Sequence, residues 1–287
     1  MAITDLPGAR GELGNELIAA IELARAAGVE VMKLRGGELG VELKPGDEPV
    51  TIADKRASEL IVAGLQARFP GDIVISEELA LERGDLEAAT STRAWLIDPI
   101  DGTKDFIRGS DGFSVMIGIA RAGRPVLGVV HQPSVSRTFF ATLDGGAYVI
   151  IDDAVQPLAV STIAAATEVR LVASASHRSP DIDRVKDTLG IANEQNVGSV
   201  GVKLCLIAMG VRDLYVNPAA KTKVWDTCGP EAILTGAGGR LSDLFGTPVD
   251  YTELGQPRGL VASNSHVHDE VIAKLAPLFE SLRANRT

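Results

Sequence analysis

The chain has 287 residues, 45% hydrophobic and 23% charged, which is the balance of a soluble globular protein with material for one large or two closely packed domains. Its net charge of −10 argues against a nucleic-acid polymer as partner, because such binding needs Lys and Arg to displace counterions. No segment approaches the roughly 20 apolar residues that span a bilayer, and Met1 to Arg10 lacks a basic stretch followed by an apolar run, so neither a membrane span nor a signal peptide is expected.

Leu13, Leu17, Ile21 and Ala24 recur at helical spacing and predict a helix over 12–34, closed by Gly36-Gly37. A polar turn, Lys44 to Pro49, leads through Val50-Thr51 to a second helix carrying Ala53, Ala57, Ile61 and Leu65 on one face, ended by Pro70-Gly71. Strands follow at Ile73 to Ile75 and Ala94 to Ile97, the second ending at Asp98-Pro99. Segments 112–120 and 125–131 read as a hairpin, with more strand to about residue 150.

From about residue 160 strands and helices alternate: strands at 169–173, 213–216, 240–243 and 259–262, helices at 180–189, 200–210, 226–237 and 268–284. Such alternation predicts an α/β layered unit. The expected fold class is α/β, an α+β N-terminal half (1–157) carrying most of the acidic candidates and an α/β C-terminal half (158–287) carrying Asp226. The seam is placed at Gln156-Pro157, and the two halves are expected to form one rigid body. Cys205 and Cys228 lie far apart and belong to no Cys-x-x-Cys pair; they read as reduced thiols of a cytoplasmic protein.

The strongest chemical signal is Trp95-Leu96-Ile97-Asp98-Pro99-Ile100-Asp101-Gly102-Thr103-Lys104-Asp105-Phe106. An apolar strand delivers Asp98, Pro99 stiffens the turn, and Asp101 follows three residues on. Gly102 admits close approach of a ligand, and Thr103 opens a helix whose free N–H groups attract phosphate. Two carboxylates flanking the Ile100 carbonyl suit hard cations such as Mg²⁺. Two such ions roughly 3.5–4 Å apart can clamp the attacking and leaving oxygens of a phosphoryl transfer.

Alone, this segment is equally an Asp-rich capped turn. Three further groups shift the balance: Glu77-Glu78 after the Ile73–Ile75 strand, Asp226 at the start of its helix, and Asp54 after Val50-Thr51. Each also has a plainer role, as a solvated strand end, a helix N-cap or a compensator of a helix dipole. Together they put acidic groups at the ends of separate apolar elements.

With these residues the chain resembles the inositol monophosphatase superfamily of metal-dependent, lithium-sensitive phosphatases. Val-Thr-x-x-Asp, Glu-Glu, Asp-Pro-Ile-Asp-Gly-Thr and Trp-Asp stand in the family's order across nearly the whole chain. The resemblance implies the layered αβαβα sugar-phosphatase fold and two or three Mg²⁺ ions on Glu77, Asp98, the Ile100 carbonyl, Asp101 and Asp226. It implies a phosphate cradle at Gly102 and Thr103, with substrate also meeting Asp101 and Asp226. Water activation falls to Thr103 with Asp54 in one branch and to Glu77 in another; both assignments stay open.

Lys104, Phe106-Ile107-Arg108-Gly109, Ser174-Ala175-Ser176-His177-Arg178 and the segment around Lys203 resemble the 3′(2′),5′-bisphosphate nucleotidase branch. That branch implies hydrolysis of adenosine 3′,5′-bisphosphate to AMP and phosphate, with Lys203 and His177 at the second phosphate or the base and Arg178 a weaker candidate. Val200 departs from the pattern, standing where the branch has serine, with Ser199 one position earlier. Inositol 1-phosphate, another sugar or alcohol phosphate, or a non-catalytic metal-binding scaffold are the alternatives. The partner implied is a small phosphorylated metabolite, handled by a monomer or homodimer.

Overall fold

The computed structural model describes residues 2–79, 92–176, 178–219 and 221–284. Its helices and strands stack in five layers, α-β-α-β-α. The first layer is α1 (Gly14–Leu34) and α2 (Ile52–Arg68). They lie on a seven-stranded sheet ordered β3-β4-β5-β6-β7-β8-β9. These strands are β3 (Ile73–Ser76), β4 (Arg93–Asp101), β5 (Ser114–Arg121), β6 (Arg124–Gln132), β7 (Arg137–Thr142), β8 (Gly146–Ile151) and β9 (Ala154–Pro157). Only β3 and β4 run parallel; the other pairs are antiparallel. Leu17, Ile21, Ala57 and Ile61 of the helices share one core with Trp95, Ile97, Ile117 and Val129 of this sheet.

The middle layer is α5 (Val200–Ala208) and α6 (Val224–Gly236). A five-stranded sheet, β11-β10-β12-β14-β13, covers it. These strands are β10 (Arg170–Ser174), β11 (Asn193–Val197), β12 (Leu214–Asn217), β13 (Arg240–Ser242) and β14 (Leu260–Ser263). The central core joins Leu96, Met116 and Phe139 of the first sheet to Leu204, Ile233, Val172 and Tyr215. The last layer is α4 (Asp181–Leu189) and α7 (His268–Leu275), packed through Ile182, Val185, Val271 and Leu275 on the outer face of the second sheet.

Helix α6 lies unusually close to the first sheet. A Cβ on Gly118 of β5 would stand 2.6 Å from the Gly229 amide nitrogen, and one on Gly128 of β6 would overlap the Gly229 carbonyl. Three glycines therefore let helix backbone touch sheet backbone. That contact fixes the first turn of α6, including Asp226, over the end of β4.

Four boundaries differ from the sequence reading. The strand expected to stop at Asp98 continues to Asp101 through a register irregularity opposite β5. The polar turn at Lys44 to Pro49 is a small hairpin of β1 (Glu42–Lys44) and β2 (Glu48–Val50). Strand β11 was missed because Asn193-Glu194-Gln195-Asn196 is polar; it is an edge strand held by backbone pairing to β10. The helix expected over 268–284 stops at Leu275. A 3₁₀ segment with Pro277 near its start and Phe279 outside helical φ/ψ follows it, and proline supplies no N–H to continue the ladder. Among the described residues no helix is long and apolar enough to cross a membrane.

Candidate active site

Residues three apart on a regular strand face opposite sides. The irregularity in β4 breaks that alternation between Asp98 and Asp101. Asp98 then interacts electrostatically with Asp101 and with Glu77, which directly follows the parallel neighbour β3. Gly102, at φ +92°, turns the chain out of β4 and into α3 (Thr103–Ile107).

Two helices contribute a carboxylate in the same way. Thr51 is the N-cap of α2, and its amide (2.8 Å) and hydroxyl (2.6 Å) donate to Asp54 Oδ2. At α6 the Lys223 amide donates to Asp226 Oδ2 at 2.7 Å. Asp226 is thus the third helical residue rather than the N-cap. In both helices one oxygen holds the first turn, as in a capping box. The other Asp54 oxygen, Oδ1, accepts from Thr103 Oγ1 at 3.1 Å, and Thr103 Oγ1 also lies 3.0 Å from the Ile100 carbonyl. Asp101 Oδ2 accepts from Ser199 Oγ (2.6 Å) and the Gly201 amide (2.7 Å), so it holds the start of α5.

Asp98 differs from the others. It is 2% exposed, and its Oδ1 is buried with no hydrogen-bond partner. Burial, then the charges of Glu77, Asp101, Asp226 and Asp54, push its carboxyl well above the ordinary range. Asp226 is raised likewise by burial, Glu77 and Asp101. Burial also raises Asp101 against the opposing pull of Lys203 and Ser199, Asp54 against Thr51, and Glu77 against Lys44.

Such mutual repulsion around an orphaned oxygen fits a cation, and the all-oxygen donor set fits a hard one such as Mg²⁺. Among the described residues no three Asp, Glu, His or Cys side chains are already gathered as a closed ligand set. The hydrogen bonds supply the reason: Asp54, Asp101 and Asp226 each have an oxygen on protein donors, and Glu77 is taken by Lys44.

Lys44 escaped the sequence reading. From β1 its ammonium donates to Glu77 Oε1 at 2.9 Å and to Glu78 Oε1. Burial works against that charge, but the two glutamates outweigh it and raise the pKa. The only sequence signal was a lysine in the polar turn before Val-Thr-x-x-Asp.

Lys203 is 1% exposed, and its ammonium donates to the carbonyls of Val197 (3.1 Å) and Gly198 (2.6 Å). Burial lowers its pKa to about 8, against Asp101, Asp105 and Asp226. Arg178 is tied to Asp183 and Glu194. His177 lies outside the described residues. Asp105, given no role in the sequence reading, is 6% exposed and accepts from Ser110 Oγ (2.6 Å) and Ser176 Oγ (3.2 Å).

Over residues 13–279 the chain matches the inositol monophosphatase family, and it belongs to that family. It is 34% identical over 243 residues to the 3′(2′),5′-bisphosphate nucleotidase CysQ of Salmonella typhimurium, covering 80% of this chain and 92% of that one. It is 32% identical over 270 residues to a histidinol-phosphatase of Mycobacterium tuberculosis, covering 91% and 98%. Among solved structures it resembles a Thermotoga maritima IMPase, with TM-score 0.79, 27% identity and coverage of 93% and 99%. The protein is accordingly a phosphatase with the fold of that family.

Proposed function

We propose that this phosphatase is Mg²⁺-dependent and removes the 3′-phosphate of a nucleoside 3′,5′-bisphosphate, with adenosine 3′,5′-bisphosphate as the first candidate. The observation that carries the metal is Asp98 Oδ1, an orphaned buried oxygen beside four other acidic side chains. Glu77, Asp98, the Ile100 carbonyl, Asp101 and Asp226 would hold two or three ions. Bound there, Mg²⁺ supplies the Lewis-acid charge that favours ionised water and offsets charge on the leaving oxygen.

The chain's own groups do the rest. The Thr103 hydroxyl can accept a hydrogen bond from the attacking water while passing its own proton to Asp54 Oδ1. Burial raises the Asp54 carboxyl above its ordinary range, which makes it a better base for that task. Glu77 is engaged by Lys44 at 2.9 Å, which opposes the effect of burial and leaves it less free to take a proton. That distinction supports Asp54 over Glu77 as the proton acceptor. The first amides of α3, which helix geometry leaves over, suit the phosphate being transferred. Lithium inhibition is expected with the same reading.

The nucleotide assignment rests on the likeness to the CysQ nucleotidases. Its test is phosphate release with Mg²⁺ from adenosine 3′,5′-bisphosphate, inositol 1-phosphate and histidinol phosphate in parallel. The highest kcat/KM is expected for the nucleotide. A preference for either other substrate overturns the nucleotide and keeps the metal chemistry; release that persists in chelator overturns the metal.

A further inference from the structure

We infer that Arg108, seated on Ser176, is the residue that recognises the second phosphate of a bisphosphate substrate. This rests on the reading above, in which the first phosphate sits at Gly102 and Thr103. Arg108 caps the C-terminal end of α3, five residues beyond Thr103. At 1.5 Å per residue that places it about 7.5 Å along the helix from the cradle, on the order of the separation between the two phosphates carried by one ribose.

Its position is fixed by a relay. Arg108 Nη1 donates to Ser176 Oγ at 3.3 Å, and Ser176 Oγ donates to Asp105 Oδ2 at 3.2 Å. Asp105 is itself held by Ser110 and wedged against Gly112 and Gly198. Ser176 lies just past the end of β10, between the parallel strands β11 and β12. Ligands of open α/β sheets collect at the carboxyl ends of such strands.

Of the cations argued for this role, His177 lies outside the described residues, and the others, like the neighbouring Arg35, are already engaged. Lys203 is buried on two carbonyls, and Arg178 is paired with two carboxylates. Arg35 is bound to Asp111 and to the Gly109 and Ser110 carbonyls. Arg108 is exposed and spends one long hydrogen bond on the described residues. A guanidinium carries about five N–H donors, so most remain for a phosphate, which it can grip in bidentate fashion.

The test compares adenosine 3′,5′-bisphosphate with adenosine 3′-monophosphate on the Mg²⁺-loaded wild type, Arg108→Ala and Arg108→Lys. The expected result is a loss of at least about tenfold in kcat/KM for the bisphosphate in Arg108→Ala, carried by KM. The monophosphate rate should be unchanged, and Arg108→Lys should recover part of the loss. Equal losses on both substrates, or an undiminished bisphosphate preference in Arg108→Ala, overturn the inference alone. A wild type indifferent to the 5′-phosphate overturns the nucleotide reading and the inference with it.

Discussion

Replacing Asp98 by asparagine keeps the side chain's shape and removes one negative charge from the centre of the acidic cluster. In the metal-free protein ionising that group is costly, since Asp98 is 2% exposed, its Oδ1 has no donor, and four neighbouring acids oppose its ionisation. An unsatisfied buried polar group costs about 1–3 kcal/mol, and more when charged. Asparagine can instead donate to Glu77, whose side chain lies within hydrogen-bonding reach of Asp98. Asp98→Asn should therefore stabilise the chelated protein by about 2–3 kcal/mol. At about 2 °C per kcal/mol for a chain of this size, the melting temperature should rise by about 4–6 °C. The same variant should lose the gain that Mg²⁺ gives the wild type, together with most of its activity. In the wild type that gain should grow as pH rises, because the ion binds ionised carboxylates and burial holds these carboxyls protonated above their ordinary range. The assay is thermal melting with chelator and with Mg²⁺ at several pH values. A chelated Asp98→Asn protein that melts below the wild type, or still responds to Mg²⁺, refutes the reasoning.

Gly198→Ala would drive a Cβ into Asp105 Oδ2 and to 2.5 Å from its Cγ; a cost of about 1–3 kcal/mol in urea unfolding is expected, and a loss under about 0.5 kcal/mol contradicts the packing argument. Arg124→Met removes the ion-pair partner at 2.6 Å from Glu231, whose side chain is 2% exposed, and leaves it Tyr251. The loss should be about 3 kcal/mol, the low end for a broken buried pair because Arg124 is half exposed; it should shrink on acidification, and a loss independent of pH counts against the buried charge as its cause. His268 sits between Ser263 Oγ (2.8 Å) and Ser242 Oγ (2.9 Å), and burial lowers its pKa from 6.5 to about 4. The unfolded imidazole takes its proton first as pH falls through that window, so acidification should remove on the order of 2–3 kcal/mol that is present above it. His268→Gln should show a shallower acid decline, read as the difference in unfolding free energy from wild type across the window.

The parts of the site legible in the sequence were those set by local chemistry. Asp98 through Thr103 could be read because a strand, a proline, a glycine and a helix start each constrain their own few residues. Asp226 was legible as a helix-start acid, but its place beside Asp98 depends on Gly118, Gly128 and Gly229, which come from three different elements. No spacing rule links such positions. Lys44 was hidden because a lysine in a polar turn reads as solvated, and only the pairing of β1 with β2 turns it toward the glutamates. Ser199 looked like a serine one place out of register; it is the N-cap of α5, and it also donates to Asp101.

The helix-capping role of these acids and the chemical role proposed for them share one geometry. A carboxylate three residues into a helix can return one oxygen to the N-cap amide and turn the other outward. Asp54 does this at α2 and reaches Thr103 with its second oxygen. Asp226 anchors α6 through Oδ2 in the same way, while Asp101 reaches the start of α5 from outside that helix. The positive ends of three helices, each worth roughly half an elementary charge, are thereby aimed at the acids. They offset part of the repulsion that would otherwise force the cluster apart. Helix capping is thus what lets this fold hold a concentration of negative charge. A substitution that spares the cluster but removes a cap, such as Thr51→Ala, should lower both stability and activity through the Asp54 carboxylate, read together by melting temperature and kcat.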